Sequence, residues 1–134
     1  MIEVYIDGAT ANRFKLSGIG IFIKNKQVLY TESIPIPYMS NHEAEFEALI
    51  YALNICVKQN YKVVSFRTDS KIVATAIDSK YVKNKHFKKY LEKALPLLET
   101  FELFFIKWIP ESQNKKADEL AKHAIRMQIK KHRL

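Results

Sequence analysis

Four acidic residues of this chain stand in local settings that suit divalent cations gathered around a phosphodiester. Asp7 ends the apolar run Ile2, Val4, Ile6; Glu45 lies inside an amphipathic segment; Asp69 follows Val63-Val64-Ser65-Phe66-Arg67-Thr68; Asp118 opens the last helical pattern. Two cations about 4 Å apart repel each other and need several carboxylate oxygens converging on them. Carboxylates at the ends of neighbouring strands, supplemented from helix ends, supply that on a rigid sheet. The plain alternative is four unrelated surface acids, the ordinary state of Asp and Glu in a soluble protein. The order Asp, Glu, Asp, Asp in these contexts weighs for a two-metal site.

The elements that would have to position these acids are legible from periodicity. Residues 2–7 alternate apolar and polar as a strand does. Gly18 to Lys24 reads as a second strand, and Asn25-Lys26 as a turn into a third, 27–34, ended by Pro35 and Pro37. Short links make these three an antiparallel meander. Ser40 followed three residues later by Glu43 is a capping-box pattern, opening a helix to about Asn60 whose stripe is Ala44, Ala48, Leu49, Ala52, Leu53, Cys56 and Val57. Glu45 lies beside that stripe, whereas Glu43 and Glu47 point elsewhere and read as surface acids. A fourth strand, 63–68, leads to Asp69-Ser70 capping a short helix to about Asp78. A helix over about 86–99 precedes a strand over 103–109, stopped by Pro110. Asn114 caps the final helix, with Ala117, Leu120, Ala121, Ala124 and Ile125 inward. The order βββαβααβα predicts an α/β fold: a mixed five-stranded sheet, antiparallel first and then parallel, with helices on both faces. Without repeat or linker, residues 1–134 are expected to form one domain.

Composition narrows the partners. The chain has 134 residues, 48% hydrophobic and 27% charged, with a net charge of +8. A basic body around a local acidic cluster suits a polyanion held by its backbone; charge kept for solubility is the alternative. The single Cys56, on the apolar stripe, permits no internal disulfide and fits a reducing compartment. No apolar stretch approaches the ~20 residues that span a bilayer. A cytoplasmic monomer without membrane contact or obligate protein partner is expected. The cluster Lys83-Asn84-Lys85-His86-Phe87-Lys88-Lys89 is a phosphate-contact candidate, while the tail Lys130-Lys131-His132-Arg133 reads as a solvated helix end.

With these elements in place, the chain resembles the type 1 ribonuclease H family over nearly its whole length. Tyr5-Ile6-Asp7-Gly8-Ala9 and Asn41-His42-Glu43-Ala44-Glu45-Phe46-Glu47-Ala48-Leu49 resemble the first-strand and first-helix motifs. Arg67-Thr68-Asp69-Ser70 and Ile109-Pro110 through Asn114 to Ala121 resemble the third and fourth. The resemblance implies that Asp7, Glu45, Asp69 and Asp118 coordinate metal, two Mg²⁺ ions with Mn²⁺ as an alternative. It implies cleavage of the RNA strand of an RNA–DNA hybrid, leaving 5′-phosphate and 3′-hydroxyl ends. Asn41 matches a residue that touches the substrate backbone, a role compatible with capping the helix. Gly8, Arg13, Lys15, Ser70 and Lys71 are the further substrate-contact candidates.

Three departures qualify the resemblance. The family's Gly-Asn-Pro-Gly loop is replaced by Asn12, Arg13, Phe14 and Lys15, so close backbone approach through glycine is lost there. Glu111 stands where many relatives carry a basic residue. Residues 79–86 are too short for a basic protrusion, and the resemblance is to short forms lacking a hybrid-binding module. The alternative function is a nucleic-acid-binding module that keeps the fold and cleaves weakly or not at all. A transposase or integrase relative fits the helix-borne Glu45 and the small size less well.

Overall fold

Alternation in the first strand decides which side of the sheet becomes core. In the computed structural model, which describes residues 1–132, strand β1 (Ile2–Ala11) pairs antiparallel with β2 (Leu16–Lys24) and parallel with β4 (Val63–Thr68). Strands β3 (Val28–Ile36) and β5 (Leu103–Trp108) complete one five-stranded sheet in the order β3-β2-β1-β4-β5. Val4 and Ile6 register with Ile23 and Ile21 on one side, and Val4 with Phe66 on the other, so these side chains share a face. All are buried.

Helix α1 (Asn41–Lys58) covers that face with Ala44, Ala48, Leu49, Ala52, Leu53 and Cys56, all buried. Between it and β5 the chain forms α2 (Lys71–Ser79) and α3 (Lys85–Leu98). Helix α3 packs on α1 through Phe46, whose ring lies 5.0 Å from Phe87 and 5.3 Å from Tyr90. The opposite face is covered by α4 (Lys115–His132), seated over β2 and β1. Gly20 permits that approach, because a Cβ there would enter the α4 backbone at Ala117. The mixed sheet with helices on both faces is the architecture expected from the element order.

The differences lie at element ends. Strand β3 runs through Pro35, which pairs with Gly18 rather than ending the strand. Since β3 is an edge strand, the missing N–H of proline costs no ladder bond. Strand β1 extends past Asp7 to Ala11, so Asp7 sits mid-strand against β2 yet level with the end of β4, where Ile6 registers with Thr68. Glu43 is not a free surface acid. It is half-buried and accepts from the Tyr90 hydroxyl (3.2 Å), tying α1 to α3. Cys56 is buried as expected, and burial pushes its thiol up to about 12, which leaves it unreactive. No helix among the described residues is long and apolar enough to cross a membrane. Arg133 of the basic tail lies outside the described residues.

Candidate active site

Strand β1 places Asp7 on the α4 side of the sheet, opposite Gly20, and Gly8 on the α1 side, opposite Ile19. Gly8 is the seat of α1: a Cβ there would collide with the backbone of Ala44 and Glu45. The first turn of α1 can therefore lie flat on β1 and deliver Glu45 beside Asp7 despite arriving from the other face. Asp69 follows β4, where the Trp108 indole Nε1 donates to its carbonyl oxygen at 3.0 Å. Asp118 occupies the first turn of α4. Together Asp7, Glu45, Asp69 and Asp118 line one cleft of about 420 Å³, with Gly8, Ala9, Thr10, Asn41, Glu111 and Lys122. The four acids chosen from sequence meet in space.

The cleft is electrostatically costly. Asp7 is only 7% exposed, and its carboxyl is pushed from the ordinary 3.8 to about 9. Burial is the largest cause, reinforced by the charges of Asp69, Asp118 and Glu45 and by a hydrogen bond with Asp118. Glu45 is raised chiefly by burial and further by Asp69 and Glu111, while a hydrogen bond from Ser70 and the charge of His42 oppose the shift. Asp69 is raised by burial, then by Glu111 and Asp118, against a lowering hydrogen bond from Asn114. The proton that Asp7 keeps, in its hydrogen bond with Asp118, relieves part of this repulsion. Among the described residues no three His, Cys, Asp or Glu side chains stand close enough to enclose one ion by themselves.

Polar neighbours hold the acids in place. Asn41 Nδ2 donates to Glu45 Oε1 at 2.9 Å, from an exposed position at the cleft mouth. Asn114, 1% exposed, donates through Nδ2 to the Ile6 carbonyl (2.9 Å) and to Asp69 Oδ2 (3.2 Å). Its backbone carbonyl accepts from the Asp118 N–H at the head of α4, but its Oδ1 has no partner, so the side chain expected to cap the helix is turned to Ile6 and Asp69 instead. Lys122 Nζ lies 3.0 Å from Asp118 Oδ2. That contact escaped the sequence reading, although Asp and Lys spaced i, i+4 on a helix were the available signal.

The substrate-contact candidates divide. Gly8 and Asn41 line the cleft, and the short 3-10 turn Glu111–Gln113 brings Glu111 to it. Ser70 is buried at 6% and turned inward, its hydroxyl accepting from the Val73 N–H at the head of α2. Lys71 lies outside the cleft with its ammonium 5.1 Å from the centre of the Trp108 ring. Arg13 and Lys15 also stand outside it. They belong to the β1–β2 turn, Arg13 over Phe14 (5.5 Å) and Lys15 over Tyr38 (5.9 Å). Lys15 takes a positive φ of 52°, the backbone form that closes this turn without the family's glycines.

Sheet order, helix placement and cleft together define a protein of the ribonuclease H-like class. Residues 5–124 match the Reverse transcriptase-like family, and the chain belongs to it. It is 41% identical over 127 residues to EbsB of Enterococcus faecalis, whose name proposes a hydrolase and states no substrate; the match covers 93% of this chain and 94% of that protein. The crystal structure of RNase H1 from Halobacterium salinarum superposes with a TM-score of 0.87 at 24% identity, over 94% of this chain and 98% of the other. LC11-RNase H1 in complex with an RNA/DNA hybrid superposes at 0.86 with 26% identity, over 96% and 99%.

Proposed function

We propose that this protein is a divalent-cation-dependent ribonuclease that hydrolyses the RNA strand of RNA–DNA hybrids, leaving 5′-phosphate and 3′-hydroxyl ends. The observation that carries the reading is the convergence of four carboxylates, from β1, α1, the end of β4 and α4, on one cleft in spite of their repulsion. A site freed from cation binding would have little physical reason to keep them together. The all-oxygen donor set suits Mg²⁺, with Mn²⁺ as an alternative ion.

A bound pair of such ions would make hydroxide available near neutral pH and stabilise the leaving 3′ oxygen. The chain's own residues do the rest. Asp7 must give up a proton retained to about pH 9 before it can act as a full ligand. Asn114 holds Asp69 in position, and Asn41, fixed by Glu45, faces the substrate backbone at the cleft mouth. The exposed lysines Lys83, Lys85 and Lys88 offer a phosphate track at the start of α3. Choosing a hybrid requires reading the 2′-hydroxyl of the RNA strand; the LC11 relative, solved with an RNA/DNA hybrid, supports that substrate class.

The test is labelled RNA–DNA hybrid, duplex RNA and duplex DNA, each with and without Mg²⁺, using the parent chain and Asp69→Asn. We expect Mg²⁺-dependent cleavage of the hybrid alone, and a loss of at least a hundredfold in the variant, about 2.7 kcal/mol of transition-state stabilisation. Cleavage by Asp69→Asn at the parental rate would refute the assignment. Glu111 and Lys122 in the cleft favour a second reading, a hybrid-binding module that cleaves weakly. Tight hybrid binding with no Mg²⁺-dependent product identifies that case.

A further inference from the structure

Among the described residues, Lys122 is the single cationic side chain lining the cleft, beside five acids: Asp7, Glu45, Asp69, Glu111 and Asp118. Its ammonium pairs with Asp118 at 3.0 Å, and the two side chains are 57% and 25% exposed. One turn of α4 separates them, so the pair forms from helix geometry without distortion. The stem is anchored on a packed helix and the ammonium lies at the solvent side, able to leave Asp118 by rotating its own bonds.

We propose that Lys122 is a tethered counter-cation that competes with the metal for Asp118 and so weakens cation loading of the substrate-free cleft. This rests on the reading of the cleft as a divalent-cation site. The physical ground is charge. With Lys122 in place, part of the field that draws a cation is cancelled at Asp118. An ion that takes Oδ2 of this carboxylate meets an ammonium already in contact with it, and one that takes the other oxygen meets its repulsion. Substrate phosphate adds the missing negative charge, so loading is favoured when nucleic acid is present and disfavoured before it arrives. Lys122 acts through Asp118 and is a positioning residue.

The experiment titrates Mg²⁺, and separately Mn²⁺, into full-length protein without nucleic acid at fixed ionic strength, by calorimetry. Thermal unfolding in chelator accompanies it. Lys122→Gln should bind the ion about three- to tenfold more tightly, in the range expected when an exposed ion pair no longer opposes binding. It should also melt lower than the parent in chelator, since the acids lose their internal cation. Lys122→Arg should match the parent in both. In an Asp118→Asn background, Lys122→Gln should change ion affinity less than twofold, because the coupling partner is gone. A parent that binds the ion while Lys122→Gln binds it equally well overturns this inference alone. If neither the parent nor Lys122→Gln binds either ion, this inference falls, and the reading of the cleft falls with it only where the parent also fails to cleave an RNA–DNA hybrid in Mg²⁺.

Discussion

Asn114 donates through Nδ2 to Oδ2 of Asp69 at 3.2 Å, spanning 45 residues of chain to fix a carboxylate that its own loop leaves half-exposed. The same nitrogen donates to the Ile6 carbonyl beside Asp7. One buried amide thus links the strand carrying Asp7, the loop carrying Asp69 and the helix carrying Asp118.

Asn114→Ala should therefore lower both stability and ion affinity. The substitution removes one buried and one part-buried hydrogen bond, a cost of about 1–3 kcal/mol. Asn114 Oδ1 is itself buried without a partner, and removing it offsets part of that cost, so the net loss falls toward about 1–2 kcal/mol. A urea midpoint unchanged from the parent would refute this.

Stability should depend on pH in a stated direction. Below about pH 4 the Asp7 carboxyl is protonated whether the chain is folded or not. Above that the unfolded chain releases the proton, while the folded chain keeps it to about pH 9. The folded state binds more protons throughout that window, so stability falls as pH rises across it. Glu45 and Asp69 are raised as well and act in the same sense. In chelator, melting temperatures should decline from pH 5 to 8 (a range about the middle of that window), and Asp7→Asn should flatten the decline and melt higher at the alkaline end. A parental melting temperature that climbs with pH over this range would show that Asp7 ionises freely.

Gly8→Ala tests the seat of α1. The added Cβ would meet the backbone of Ala44 and Glu45, which no side-chain rotation can relieve. The helix must lift from the sheet, at an overpacking cost of about 1–3 kcal/mol or more. Glu45 moves with it, so Mg²⁺-induced thermal stabilisation should shrink even where the variant remains folded. Unchanged stabilisation by Mg²⁺ would separate Glu45 from ion binding.

Glu111 lines the cleft from an exposed 3-10 turn and its charge raises both Glu45 and Asp69. An acid there opposes arriving phosphate and adds to the charge that holds a cation, and the product bound to that cation, in the cleft. Glu111→Arg should raise steady-state turnover modestly and more than single-turnover cleavage, because product release is the step relieved. Equal rates in both assays would make the side chain a spectator. A fall in both would give Glu111 a positive part in catalysis.

Local rules make much of this protein legible from its amino-acid sequence. Period-2 alternation in residues 2–7 set both the strand and its two faces, and serines 40 and 70 marked the helix starts that the structure shows with their hydroxyls accepting from Glu43 and Val73 N–H groups. Each acid of the cleft was recognisable because its context, the end of an apolar run or a helix turn, is itself short-range, even though β1 itself continues past Asp7. Contacts across long stretches of chain were not legible. Pro35 continues β3 only because that strand lies at the sheet edge. Arg13, Lys15 and Lys71, chosen for charge and proximity in sequence, lie outside the cleft because turn geometry and aromatic neighbours hold them elsewhere. Asn114 reaches Ile6 across 108 residues. The elevation of Asp7 depends on burial and on three other carboxylates brought in by separate elements. Residue type and spacing determined which groups were available for chemistry. Their proton affinities, partners and access to solvent were decided by packing, since dielectric surroundings and through-space charge exist only once the sheet and helices have closed around them.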